Sequence, residues 1–143
     1  MDPKISDTRR AMVDYARSWL GTPFHHQGRV KGRACDCIGI VIKTAQEVLH
    51  HPYDGKPNYG RIPDVKSLLK ECYKWMEPIS FEEALPGDVL LLRMEEEPCH
   101  FGLITDKGVI HAYAKSPRKV VEHSLDDIWK KRIVKVFRIP GID

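Results

Sequence analysis

Apolar positions recur with a helical period in the first half of this chain and in short strand-like runs in the second. Met12, Ala16, Trp19 and Leu20 predict an amphipathic helix over about residues 6–20, capped by Ser6 or Asp7 and stopped by Gly21, with Pro23 just beyond. Ile38, Val41, Ile42, Ala45, Val48 and Leu49 predict a second helix that starts at Cys37 and ends before His50-His51-Pro52. After a loop from Tyr53 to Pro63, Asp64 is expected to cap a short helix with Val65, Leu68, Leu69, Cys72 and Met76 facing inward. Past the turn Pro86-Gly87-Asp88, the runs Val89 to Arg93, Cys99 to Thr105, Val109 to Tyr113, Val120 to His123 and Val134 to Ile139 read as strands. Asp106-Lys107-Gly108 is the hairpin turn between the second and third of these, and Ser124-Leu125-Asp126-Asp127 a capped helical turn before the last. Helices followed by sequential strands predict an α+β fold, with N-terminal helices on a mainly antiparallel sheet of about five strands, in one domain over residues 1–143.

The composition narrows the chemistry. A chain of 143 residues with 42% hydrophobic residues buries a core without staples, and a net charge of +3 makes no case for nucleic acid. No run is long and apolar enough to cross a bilayer, and no apolar segment follows Met1-Asp2-Pro3-Lys4 as a secretory signal would require. The four cysteines, Cys35, Cys37, Cys72 and Cys99, are too few for a disulfide scaffold. The expectation is a protein made in the cytoplasm with reduced thiols, Cys72 among them as a core residue.

The candidate chemistry gathers where a polar loop turns abruptly into an apolar helix, at Arg33-Ala34-Cys35-Asp36-Cys37-Ile38-Gly39. A cysteine in the first turn of a helix feels the partial positive charge of the helix's first amides, which favours the reactive thiolate. Gly39 removes bulk beside that sulfur, as a closely approaching substrate backbone would need. The plainer alternative is that Cys37 is a small buried apolar residue.

A cysteine nucleophile needs a base, and the base needs a partner to fix its tautomer. His100 and His111 flank the predicted hairpin. If Asp106-Lys107 is a two-residue turn, Thr105 faces Gly108, His100 faces Tyr113, and His111 is the diagonal neighbour of His100 on the same face. Gly102 is then expected to leave that face open beside the imidazole. The alternative is two ordinary hydrogen-bonded strand histidines. His50, His51 and His123 are expected to be structural or exposed, and His25-His26 to sit on a loop open to water.

Five segments in order, Trp19-Leu20-Gly21-Thr22-Pro23-Phe24, Cys35-Asp36-Cys37-Ile38-Gly39, Pro86-Gly87-Asp88-Val89-Leu90, His100-Phe101-Gly102-Leu103-Ile104 and Ile110-His111-Ala112, resemble the NlpC-type cell-wall cysteine peptidases, relatives of papain by fold. The Cys-Asp-Cys form, the loop with Gln27-Gly28-Arg29 and the ending Val136-Phe137-Arg138-Ile139-Pro140 are similar to the branch found in phages, prophages and gene transfer agents. The resemblance implies Cys37 as nucleophile, His100 as base and His111 as the residue that orients it. It implies peptidoglycan stem peptides as substrate, cut after γ-D-glutamate, with Asp36 helping to grip the substrate's amine and no cofactor or metal. Tail proteins would be the partners, and the cell wall, reached from a virion tail, the place of action. Two positions depart from the family pattern: Ile38 stands where many members have serine, and Phe24 where they have tyrosine. Three rival readings share these residues: a zinc site from Cys35, Cys37, Cys99 and His100, a non-catalytic tail component that binds wall peptides, and an acyltransferase using the same nucleophile.

Overall fold

The computed structural model describes residues 5–53, 65–94 and 100–143. Ser6 accepts the Arg9 N–H and starts α1 (Asp7–Arg17), whose inner face is Met12, Val13 and Ala16. The helix ends at Arg17, earlier than its apolar stripe suggested. Trp19 is still buried in the turn that follows, but Leu20, expected on the same stripe, is 45% exposed. Gly21 supplies the positive φ of +87° that turns the chain away. The expected loop over residues 24–33 contains half of a small hairpin, β1 (Arg29–Val30) against β2 (Ala34–Cys35).

Helix α2 (Cys37–Leu49) has the predicted bounds and stops at His50, which adopts the left-handed conformation at φ 54°. Helix α3 (Val65–Trp75) follows, while its expected cap, Asp64, lies outside the described residues. Next come β3 (Glu77–Ile79), a single 3-10 turn (Phe81–Glu83), β4 (Val89–Leu92), β5 (His100–Thr105), β6 (Gly108–Ala112), β7 (Val120–His123), α4 (Asp127–Lys131) and β8 (Ile133–Arg138). The six strands β3 to β8 form one antiparallel sheet in the order β3-β8-β4-β5-β6-β7. The strand beyond the expected five is β3. It is a three-residue edge strand containing Pro78, and proline masks a strand in the sequence while being tolerated at a sheet's edge.

The two faces of the sheet bury different sets of residues. Val89, Leu91, Phe101, Leu103, Ile110, Ala112, Val120 and Phe137 pack with the apolar stripes of α1 and α2. The alternating positions Leu90, Leu92, Ile104, Val109 and Val136 pack under Leu125, Trp129 and Ile133. Where α1, β4 and the residues after β8 converge, Arg9 is 1% exposed and Asp88 fully buried, 3.1 Å apart. Arg138 and Asp143 complete this cluster: Arg138 donates to Asp88 at 2.9 Å, and Arg9 to Asp143 at 2.8 Å. The carboxyl of Asp143 is held below its ordinary range, chiefly by the hydrogen bond from Arg9. Asp88, the last residue of the Pro-Gly-Asp turn, thus serves as an internal anion for two arginines.

Candidate active site

Asp36 builds the start of α2. One carboxylate oxygen accepts the Gly39 N–H at 2.7 Å and caps the helix, and the other accepts the Gln27 N–H at 2.8 Å and ties down the preceding loop. The residue is 3% exposed. Cys37 is the first helical residue, almost buried, in the apolar cluster that also holds Phe101 and Ala112, the chain neighbours of His100 and His111. The space beside Gly39 is taken by the protein itself rather than kept for a substrate backbone. A Cβ there would lie 2.7 Å from the Gly28 carbonyl oxygen and 3.0 Å from Asp36 Oδ1. Gly39 is needed so that the loop can close against the helix.

Cys35 and Cys37 differ sharply although two residues apart. Cys35 is fully buried in β2 and its thiol hydrogen-bonds the Asp36 carbonyl at 3.2 Å. Burial pushes its pKa up to about 12, helped by the neighbouring Asp36 charge, so it stays a thiol. Only Cys37 has a helix N-terminus behind it.

Strand pairings carry the start of α2 to one end of the sheet. Residues 21–24 run alongside β7: Gly21 N–H donates to the Val120 carbonyl at 3.0 Å and Phe24 N–H to that of Arg118 at 2.8 Å. Cys35 N–H in turn donates to the Pro23 carbonyl at 2.9 Å. Val120 pairs with Ala112, and Tyr113 N–H donates to the Lys119 carbonyl at 3.1 Å, so this is the end where β6 finishes. The β5–β6 hairpin has the predicted register, Thr105 facing Gly108 and Leu103 facing Ile110. Antiparallel pairing therefore brings the start of β5, His100, to that same end.

His100 and His111 meet as the register required. Nε2 of His100 lies 2.7 Å from Nδ1 of His111, with the rings edge to face. Both are fully buried. Burial first, and then its histidine neighbours, push the pKa of His111 down to about 2, so its ring is neutral. Gly102 does not leave this face open as expected. A Cβ there would meet Val109 Cγ2 at 2.5 Å, and the His111 Cβ lies 3.6 Å away. The glycine admits the packing of β6 against β5.

His123, expected to be structural or exposed, belongs to the same group. Its Nε2 is 2.8 Å from Nε2 of His111, and its Nδ1 is 2.9 Å from the Ser124 carbonyl oxygen. Trp129 covers the pair, with ring centres 4.5 Å from His123 and 5.2 Å from His111. Asp126 caps α4, accepting the main-chain N–H of Trp129 at 3.0 Å. His25 and His26 are exposed on their loop, as expected, and His51 stacks edge-on with Trp75.

Cys99, the third thiol of the zinc reading, lies outside the described residues. Among the described residues, no group of three or more His, Cys, Asp or Glu side chains is arranged to hold a metal ion. A cavity between α2 and α3, with about 590 Å³ of empty space including its mouth, is lined by Ile38, Val41, Ala45, Leu68, Cys72 and Trp75 among others. Cys72 is a buried apolar wall residue there, as its spacing predicted, and Cys37 and the three histidines are not part of the lining. No helix among the described residues is long and apolar enough to cross a membrane.

No protein-family model matches the sequence, and no curated protein is significantly similar to it. Solved structures are similar in fold. The NlpC/p60 domain of the peptidoglycan hydrolase SagA superposes with a TM-score of 0.63 at 20% identity, over 92% of this chain and 98% of that one. An NlpC/P60 family protein from Bacillus cereus gives 0.65 at 16% identity over 92% of this chain. NlpC2 from Trichomonas vaginalis gives 0.65 at 19% identity over 97%. The chain spans only 40% and 48% of the length of these last two. The arrangement of helices and antiparallel sheet that carries Cys37 and the histidines is thus the NlpC/p60 fold.

Proposed function

We propose that this protein is a cysteine peptidase that hydrolyses stem peptides of peptidoglycan, with Cys37 as nucleophile, His100 as base and His111 as the residue that orients His100. The observation that carries the proposal is the 2.7 Å bond between two buried imidazoles at the sheet end where the helix headed by Cys37 begins. In this reading the Cys37 thiolate attacks a peptide carbonyl, and the oxyanion is stabilised by amides at the start of α2. Protonated His100 gives its proton to the leaving amine. Water then attacks the thioester, with His100 taking its proton, and the acid product leaves. The hydrolase named among the structures of similar fold supports the substrate class.

The finer assignments rest on the sequence motifs. They are cleavage after γ-D-glutamate, a place among phage, prophage or gene-transfer-agent tail proteins, and action on the wall from a virion tail. Recognition of the substrate's amine by Asp36 belongs with them, since a carboxylate can accept more than the two backbone N–H groups that Asp36 holds.

Mass analysis of defined stem peptides incubated with the protein tests the whole reading. The expected result is one new pair of products that shows the bond, disappears in a Cys37→Ala protein and survives in Cys35→Ala. Equal hydrolysis by the Cys37→Ala protein would overturn the proposal. Transfer to an added amine in place of hydrolysis would identify an acyltransferase.

A further inference from the structure

We propose that His123 is a positioning residue that, through His111, sets which nitrogen of His100 carries the proton. The inference rests on the functional reading above for its consequence, but its geometry stands alone. A backbone carbonyl only accepts hydrogen bonds, so the 2.9 Å contact of His123 Nδ1 with the Ser124 oxygen requires the proton on Nδ1. With that single proton on Nδ1, His123 offers Nε2 as an acceptor, and the 2.8 Å contact is then filled by His111 donating from Nε2. Neutral His111 in turn has its acceptor at Nδ1, and the 2.7 Å contact requires His100 to donate from Nε2. The acceptor of His100 is thereby assigned to Nδ1. One main-chain oxygen, three residues removed from the base, fixes the direction of every bond between them.

The surroundings keep that direction fixed. His100 and His111 are fully buried, which keeps solvent from the bond between them. Trp129 lies across both His111 and His123, leaving only the outermost bond, from His123 to Ser124, exposed to water. Tyr113 packs with both His111 and Trp129, 5.3 Å from the first and 6.0 Å from the second between ring centres. A base whose ring could flip between tautomers would present a proton to the sulfur part of the time and a lone pair the rest. The Ser124–His123–His111 chain removes that ambiguity before substrate arrives.

The direct test is long-range nitrogen–proton NMR of histidine-labelled Cys37→Ala protein at about pH 8, where imidazoles of ordinary pKa are neutral. The expected signature is a proton on Nδ1 of His123 and on Nε2 of both His111 and His100. A proton on Nε2 of His123, or on Nδ1 of His111, would overturn the inference whether or not the protein is an enzyme. Two variants in the otherwise native chain test the consequence. His123→Leu should lower kcat on a stem peptide by about 10–100-fold with KM unchanged, the range usual for removing an outer partner of a functional histidine. His123→Gln, which can still accept from His111, should recover most of that loss. Equal activity of the Leu variant and the native protein would refute the positioning role. Absence of hydrolysis by the native protein would overturn the peptidase reading and leave the NMR result to decide the chain of protons.

Discussion

Two polar clusters sit in this small molecule, each with a buried pair at its centre, and they are built on opposite principles. The cluster of Arg9, Asp88, Arg138 and Asp143 joins α1 to the sheet by pairing unlike charges. The chain of His100, His111 and His123 joins three strands by pairing like groups, which works while His111 stays neutral and each ring donates to the next. The first gains its strength from charge and is indifferent to direction. The second carries little charge, but its direction has a meaning at the end nearest α2. A cluster of paired ions suits anchoring, and a directed chain of imidazoles suits holding a base.

The contrast can be broken most forcefully at Asp88. Asp88→Ala leaves the buried guanidinium of Arg9 without its fully buried anion, with only the half-exposed Asp143 beside it, and urea unfolding should show a loss of about 3–5 kcal/mol. Activity should fall only as the folded fraction falls. A loss under 1 kcal/mol would mean that Asp143 alone satisfies Arg9.

Acid separates the two clusters by pH. His111 is held near 2 in the folded chain, against an ordinary 6.5, so the unfolded chain binds its proton first. Its contribution is present in full above about 6.5 and is lost as pH falls from there toward 2. Asp143, and Glu122 hydrogen-bonded by Arg17, have lowered values, so their contributions are lost only below the ordinary carboxyl values of 3.8 and 4.5. Stability measured by urea titration should therefore decline in two stages. His111→Leu should flatten the first stage and leave the second, and an unchanged slope between pH 6.5 and 5 would contradict the neutral histidine chain.

The smallest effect belongs to the surface. Lys43 and Glu47 lie 3.7 Å apart along α2 and are both partly exposed. Glu47→Ala should alter stability by about 0.3–0.5 kcal/mol and the alkylation of Cys37 not at all. A change in Cys37 reactivity would show that charges far down the helix reach its first turn.

What could be read in advance follows from how local each signal is. Helix α2 was legible because a capping aspartate, a glycine and an apolar stripe lie within one stretch of sequence. The meeting of His100 and His111 was legible because a two-residue turn at Asp106-Lys107 leaves only one register. His123 was not, because its place beside His111 depends on the β6–β7 register, in which Val109 faces His123 across a longer link with no turn to count from. The roles of Gly39 and Gly102 were misread for a related reason. Sequence shows that a side chain is missing, but not that Gly28 and Val109 fill the space. The internal duty of Asp88 was equally hidden, since Arg9 and Arg138 reach it from the two ends of the chain.

The central claim is that the sulfur of Cys37 is ionised by its place at the head of α2 and by the imidazole of His100. The rate of iodoacetamide labelling at Cys37, followed by peptide mass from pH 5 to 10 in the native chain and in His100→Ala, measures this directly. The account predicts fast labelling at pH values well below the ordinary thiol range of about 8.5, lost in the variant, with Cys35 unlabelled in both. Labelling of Cys37 that rises only near 8.5 and is the same in both proteins would contradict it.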